Sequence, residues 1–270
     1  MLKRLTVILI SLLVLTGLFA EGAIENASTP KYVASTSWVA AIAEVAGLDG
    51  VDTVAPADLK HPPEYEITPM DVAKVAKAEI FMYGGYEAMM KTIAEAAEVK
   101  DECKVQVRTT NTLSNLTLMV ERISAKAGTE EEGKKRLGEF ESLFEEARRI
   151  IKENGLDKLR VWANKNQAEF STDLGLNVVA TFGPGPLTSD ELLKAKEDGY
   201  DLIIDNVHAI VTSPLSEIVP STPILIWRNF PSSLEKDALY KVISGNLEML
   251  WNEFGIKQES LLCKRINTRR

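Results

Sequence analysis

Two histidines, His61 and His208, are the residues of this 270-residue chain whose type most clearly allows metal chemistry. A neutral imidazole is a common ligand of zinc, manganese and related ions, and a zinc site usually has about four nitrogen, oxygen or sulfur ligands. Two imidazoles do not complete such a site, so carboxylate, amide or water oxygens would have to supply the rest. The chain has only two cysteines, Cys103 and Cys263, which excludes a thiolate cluster.

The segment that begins at His61 is suited to hold its histidine in a defined place. It reads His-Pro-Pro-Glu-Tyr-Glu-Ile-Thr-Pro, and each proline fixes its own φ and favours extended backbone in the residue before it. Thr68 and Asp71 have the spacing of a capping box at the start of a helix. The pattern predicts a rigid loop that leaves a strand and enters a capped helix. A proline-rich surface turn with an incidental histidine is the alternative.

Strand and helix patterns alternate through two halves of the chain, which is typical of parallel sheets with crossover helices. The halves repeat one order: Thr188 lies 120 residues after Thr68, each begins a capped helix, and an apolar strand follows each helix. We therefore predict an α/β protein with two Rossmann-like lobes and parallel sheets. Because ligands of open α/β sheets bind beyond the carboxyl ends of strands, and each histidine follows a predicted strand, both imidazoles could face one cleft.

A single long amphipathic helix is predicted between the two halves. Thr129 and Glu132 have the capping-box spacing, apolar residues recur at steps of three and four as far as Ile151, and Gly155 provides a stop. Such a helix would connect the lobes stiffly. The predicted organisation is a signal peptide over residues 1–23, an N-terminal lobe over 30–128, a connecting helix over 129–155 and a C-terminal lobe over 156–270.

The N-terminus and the composition restrict the possible functions. Met1-Leu2-Lys3-Arg4, an apolar run and small residues near position 20 have the layout of a secretory signal peptide, which predicts a periplasmic or secreted protein; an uncleaved anchor is the alternative. The net charge of −8 argues against a nucleic-acid partner. No hydrolase, P-loop or dinucleotide motif is present, so we predict a non-enzyme without an organic cofactor. Whether Cys103 and Cys263 pair stays open.

The segment from His61 to Val72, followed by Ala78-Glu79-Ile80-Phe81, resembles that of the cluster-A metal-binding solute-binding proteins. These are extracytoplasmic receptors that capture zinc or manganese for ABC importers. The resemblance implies two α/β lobes joined by one long helix and a metal ion held between them. It also implies His61 as a ligand, a membrane permease as partner, a monomeric state and a transported divalent ion, zinc first and manganese second.

The chain also departs from the pattern of this family. Arg108-Thr109-Thr110-Asn111 stands where a second histidine is usual, and Ala163-Asn164-Lys165-Asn166-Gln167 where a third is usual. The candidate ligands are therefore His61, His208, Glu64, Asn164 and Glu169. For His208, a structural role in a helix-capping loop after Asp205 and Asn206 is the alternative. For Glu64, Asn164 and Glu169, solvated or helix-capping roles are the alternative. A protein of the same fold that has lost the metal and binds an organic or anionic ligand is the competing hypothesis.

Overall fold

The computed structural model describes residues 31–86 and 88–257. Its strands form two four-stranded sheets in which every pair is parallel. The strands are β1 (Tyr32–Ala34), β2 (Asp52–Thr53), β3 (Ile80–Tyr83), β4 (Lys104–Gln106), β5 (Val161–Asn164), β6 (Val178–Phe182), β7 (Leu202–Asn206) and β8 (Ile224–Trp227). The first sheet has the order β2-β1-β3-β4 and the second β6-β5-β7-β8, so the same topology occurs twice. This confirms the predicted α/β fold with two lobes.

Helices connect the strands of each lobe and cover the sheets. They are α1 (Ser37–Val45), α2 (Pro69–Ala76), α3 (Ala88–Ala96), α4 (Leu113–Ala127), α5 (Glu130–Glu153), α6 (Lys165–Asp173), α7 (Ser189–Glu197), α8 (Leu215–Ile218) and α9 (Ala238–Glu253). Within the described part of the chain, no helix is both long enough and apolar enough to cross a bilayer. The predicted signal peptide and Cys263 lie outside the described residues, and Cys103 is partly buried.

Two of the three predicted capping boxes are present. The hydroxyls of Thr68 and Thr188 each accept a hydrogen bond from the backbone amide of the third helical residue, Asp71 or Glu191. The carboxylate of that residue in turn accepts a hydrogen bond from the backbone amide of the threonine. The capping box predicted at Thr129 is wrong. Its hydroxyl donates to the carbonyl of Ala46 at 2.7 Å and makes no bond to its own helix. A contact to another helix has replaced the local one.

The long helix α5 is fastened to both lobes. The guanidinium of Arg136, 6% exposed, donates to Glu132 on the same helix and to Glu44 and Asp49 in the N-terminal lobe. Three turns later, Arg148 donates to the side chain and the carbonyl of Asp173 in the C-terminal lobe. Ion pairs of Arg136 therefore hold the helix to the N-terminal lobe, and an ion pair of Arg148 holds it to the C-terminal lobe.

One hydrophobic core passes through both lobes. It contains Ile42 of α1, Phe140 and Phe144 of α5, Trp227 of β8 and Ile243 of α9, all at most 2% exposed. Aromatic edge contacts join Phe140 to Tyr240 and Phe144 to Phe170. Since these contacts involve residues from both halves of the chain, the connecting helix is part of the core. It is not a flexible linker.

Candidate functional site

A cavity of about 460 Å³ lies between the two lobes, where loops that follow β2 and β4 meet loops that follow β5, β7 and β8. His61 and His208 both line it, one from each lobe. This is the arrangement that parallel sheets produce when their carboxyl edges face each other. The prediction that both histidines share one cleft is therefore confirmed.

The His61 loop is held by the helix that follows it. A single 3₁₀ turn, Pro62–Glu64, begins directly after His61, and the amide of Glu64 donates to the His61 carbonyl. Asp71 of α2, 6% exposed, then accepts bonds from the Tyr65 hydroxyl at 3.0 Å and from the amide and hydroxyl of Thr68, both at 2.8 Å. One buried carboxylate therefore joins the middle of the loop to the start of α2, and this fixes the backbone that carries the exposed His61 imidazole.

The His208 loop is organised by Asp205, a fully buried residue of β7. One carboxylate oxygen accepts from Asn164 Nδ2 at 2.9 Å and from the Asn206 amide at 2.7 Å. The other accepts from the Val211 amide at 2.8 Å and from the amide and hydroxyl of Thr212 at 3.0 and 2.8 Å. Five bonds to one carboxylate close the turn that carries His208.

The imidazole of His208 stacks on an aromatic ring and is kept neutral. Its ring centroid lies 3.6 Å from that of Phe230, and Phe230 in turn stacks on Trp38 of the other lobe at 5.6 Å. Burial lowers the pKa of His208 to about 4, with a further lowering by the charges of Arg228 and His61, whereas backbone groups of Phe230 and Lys60 act in the opposite direction. At neutral pH the ring is uncharged, which is the form that binds metal.

Two buried acceptors at the cavity have no hydrogen-bond partner among the described residues. They are Nε2 of His208 and Oδ1 of Asn229, and Asn229 is 6% exposed. A buried polar atom without a partner costs about 1–3 kcal/mol, so such atoms are expected to have a ligand or solvent partner. Both residues also line the cavity.

The remaining predicted ligands lie in different places. Glu64 is exposed and does not line the cavity. Asn164 is fully buried beneath it, where its amide donates to Asp205 and its carbonyl oxygen caps α6. The next loop packs tightly on it: Gly183 has φ +73°, and a Cβ there would lie 3.1 Å from Asn164 Nδ2. Glu169 does line the cavity, but Arg108 binds both of its carboxylate oxygens at 3.0 and 2.8 Å.

The segment from Arg108 to Asn111, where the resemblance implies a second histidine, joins the lobes. Arg108 and Thr110 both donate to Glu169 of α6, and Asn111 Nδ2 donates to the Asn229 carbonyl at 2.8 Å. Asn111 also accepts from the indole of Trp38 at 3.0 Å. The side chains of Arg108, Thr110 and Asn111 therefore connect the two lobes by hydrogen bonds, a role that the sequence did not predict.

The charges that line the cavity are mainly positive. Lys60, Arg108 and Lys165 face a single carboxylate among the described lining residues, that of Glu169, and Arg108 already binds it. No group of three or more His, Cys, Asp or Glu side chains in the described part of the chain is placed to hold a metal ion. The three cations were missed because each is an ordinary surface residue in the sequence, and only the fold brings them together.

Two α/β lobes of identical topology, a long helix between them and a ligand-sized cavity at their facing edges define the fold. No protein-family model matches the sequence, and no curated protein matches it. Solved structures with the same fold exist, and they include metal-binding proteins, the class that the His61 segment resembles.

Three of these structures illustrate the likeness. A Mn-bound periplasmic metal-binding protein from Candidatus Liberibacter asiaticus has 12% identity, covers 83% of this chain and 98% of its own, and gives a TM-score of 0.56. The metal-dependent lipoprotein YcdH of Bacillus subtilis has 18% identity, coverage of 82% and 98% and a TM-score of 0.57. The Zn(II)-bound ZnuA-like domain of Streptococcus pneumoniae AdcA has 17% identity, coverage of 84% and 99% and a TM-score of 0.56. At these identities the comparison establishes a shared fold.

Proposed function

We propose that this protein is an extracytoplasmic receptor that binds a divalent transition-metal ion between its lobes and delivers it to the permease of an ABC importer. The observation that supports this most is the convergence of the chain's two histidines on one inter-lobe cavity. Zinc fits best because imidazole suits it and it accepts a mixed set of nitrogen and oxygen ligands; manganese is the second choice.

The state of His208 supports a metal ligand. The imidazole is neutral at neutral pH, which is the charge state that binds metal, and its buried Nε2 makes no hydrogen bond to a described residue. His61 is exposed at the same cavity on a fixed loop. We infer that these two residues provide the protein's part of the coordination sphere and that donors from outside the protein complete it.

The proposed role involves binding and release without a chemical step, by a monomeric protein outside the cytoplasm. The solved structures of the same fold, named for metal binding and described as periplasmic or as a lipoprotein, support this environment. The predicted signal peptide agrees with it.

Equilibrium dialysis of the purified protein against zinc and manganese at neutral pH, followed by elemental analysis, tests the proposal. We expect about one ion per chain for wild type and a loss of at least tenfold in affinity for His61→Ala and for His208→Gln. Glu64→Gln is the matched control, since Glu64 is exposed and lies outside the cavity lining. If the protein retains neither ion, or if both histidine variants bind as wild type does, the metal proposal is wrong.

A metal-free anionic or organic solute is the second candidate, and the cations that line the cavity favour it. Lys60, Arg108 and Lys165 would attract a carboxylate and repel a bare cation. A thermal-shift screen separates the candidates because a true ligand stabilises the folded state by mass action. A rise in the melting temperature with organic anions alone, without any metal, would favour this second function.

A further inference from the structure

The geometry points to a metal ion that enters the cavity as a complex with a small carboxylate-bearing chelator: His61 and His208 bind the ion, while Lys60 and Lys165 bind the chelator's carboxylates. This inference rests on the proposed metal-receptor function and names the chemical form of its ligand. Four observations on the cavity support it independently of one another.

The first observation is the incomplete set of protein ligands. The two imidazoles are the only nitrogen ligands that the sequence can supply from histidine, and no third His, Cys, Asp or Glu joins them in the described structure. Zinc usually takes about four ligands, and the other transition ions take four to six. Even with the amide oxygen of Asn229 as a third donor, part of the coordination sphere must therefore come from donors outside the protein.

The second observation is charge. With Lys60, Arg108 and Lys165 against one carboxylate, the described lining carries a formal charge of +2 before any ion enters. A bare divalent cation would add two further positive charges to a partly enclosed site, where repulsion is weakly screened. A chelator with two or three carboxylates removes this penalty because the complex enters as a neutral or anionic species.

The third observation is that the cavity lining has an exposed lysine from each lobe, Lys60 and Lys165. Lys165 is the first residue of α6, and Asn166 beside it also lines the cavity, so the positive end of that helix faces the ligand. The side chains of Lys60 and Lys165 are exposed, and neither forms an ion pair within 4 Å of a described carboxylate. The pKa of Glu191 is lowered by its hydrogen bonds with Thr188 and, in addition, by the charge of Lys165. Both lysines are accessible to the carboxylates of a ligand, whereas the partnerless polar atoms of His208 and Asn229 are buried.

The fourth observation is size. A cavity of about 460 Å³ falls within the range of about 300–1,000 Å³ that is usual for small-molecule pockets. A single ion with one or two waters fills only a small part of it, since a water molecule takes up about 30 Å³. A metal complex of a hydroxycarboxylate with two or three carboxylates has the size and the charge that this lining fits.

Equilibrium dialysis of the full chain with zinc alone, citrate alone and zinc with citrate tests the inference, with metal and chelator both quantified. We expect metal and chelator to be retained together in equal amounts, at least tenfold more tightly than zinc alone. The double variant Lys60→Gln/Lys165→Gln should lose at least tenfold in affinity for the complex, whereas its affinity for zinc alone should not fall, because two positive charges leave the cavity. The double variant Lys126→Gln/Lys152→Gln, on helices away from the cavity, is the matched control and should behave as wild type.

The outcomes separate this inference from the proposed function. If zinc alone binds as tightly as its citrate complex, or if the Lys60/Lys165 variant binds the complex as wild type does, the chelate inference is overturned and the metal-receptor proposal stands. Retention of a chelator without metal, or of no probe at all, overturns both. A melting curve of each variant verifies that the fold is intact.

Discussion

Arg136 provides the sharpest test of how the connecting helix is held. We expect Arg136→Met to destabilise the protein strongly, although methionine fits a partly apolar helix face, because the guanidinium is buried and supports several partners. It donates to the Glu44 carbonyl at 2.7 Å, to the Glu44 carboxylate at 3.0 Å, to Asp49 at 3.1 Å and to Glu132 at 2.8 Å.

The magnitude follows from which partners water can reach after the substitution. Asp49 and Glu132 are 78% and 44% exposed and would become hydrated, but Glu44 is only 18% exposed and would lose the guanidinium that binds both its carboxylate and its carbonyl. Breaking a buried pair in this way costs about 3–5 kcal/mol. We take about 3 kcal/mol because two of the three carboxylates remain solvated, and this corresponds to a fall of about 6–12 °C in melting temperature at about 2–4 °C per kcal/mol.

Arg149→Met is the matched control on the same helix. Arg149 also has two carboxylate partners, Glu146 and Glu153, but it is 49% exposed, so its ion pairs should contribute less than about 1 kcal/mol. Melting curves and urea titrations of both variants measure the difference. Equal losses in the two variants, or a fall below about 2 °C for Arg136→Met, would refute the view that Arg136 anchors the helix.

Three further predictions concern the site. Asp205→Asn should lower the free energy of unfolding by about 3 kcal/mol, because the amide NH₂ group would face buried N–H donors that a carboxylate oxygen now accepts from. Urea unfolding measures the loss, and a variant as stable as wild type would contradict the prediction. Glu169→Gln should change zinc affinity by less than about threefold, because Glu169 pairs with Arg108 in an exposed ion pair; a loss of a hundredfold in dialysis would instead identify it as a ligand. The free energy of unfolding should fall as the pH drops from about 6.5 towards 4, because His208 is protonated in the unfolded chain in this range but not in the folded protein. The melting temperature of His208→Gln should therefore fall less between pH 7 and pH 5 than that of wild type.

Local patterns in the sequence predicted local structure well. The caps at Thr68 and Thr188 form because each needs only a hydroxyl and a carboxylate three residues apart. Thr129 has the same pattern, but its hydroxyl lies against the carbonyl of Ala46 in another helix and binds there. The two-lobed fold could be predicted because the strand, loop and helix order repeats.

The site could be predicted only in part. Asn164 stands at a position where related sequences carry a ligand, yet its amide points inward to Asp205, and nothing in the sequence distinguishes the two roles. The bonds from Arg108 and Asn111 to the opposite lobe depend on residues 61 and 118 positions away. Contacts of this range follow from how the lobes meet and leave no periodic signal in the sequence.

The core that runs through α5 has a consequence for how the molecule denatures. Two sheets of the same topology suggest two independent folding units, but residues such as Ile42, Phe144 and Trp227 belong to a single apolar cluster. Neither lobe can lose its structure without exposing the face of the connecting helix that the other lobe needs. The protein should therefore melt in one cooperative transition, with equal calorimetric and van't Hoff enthalpies, although it has two sheets.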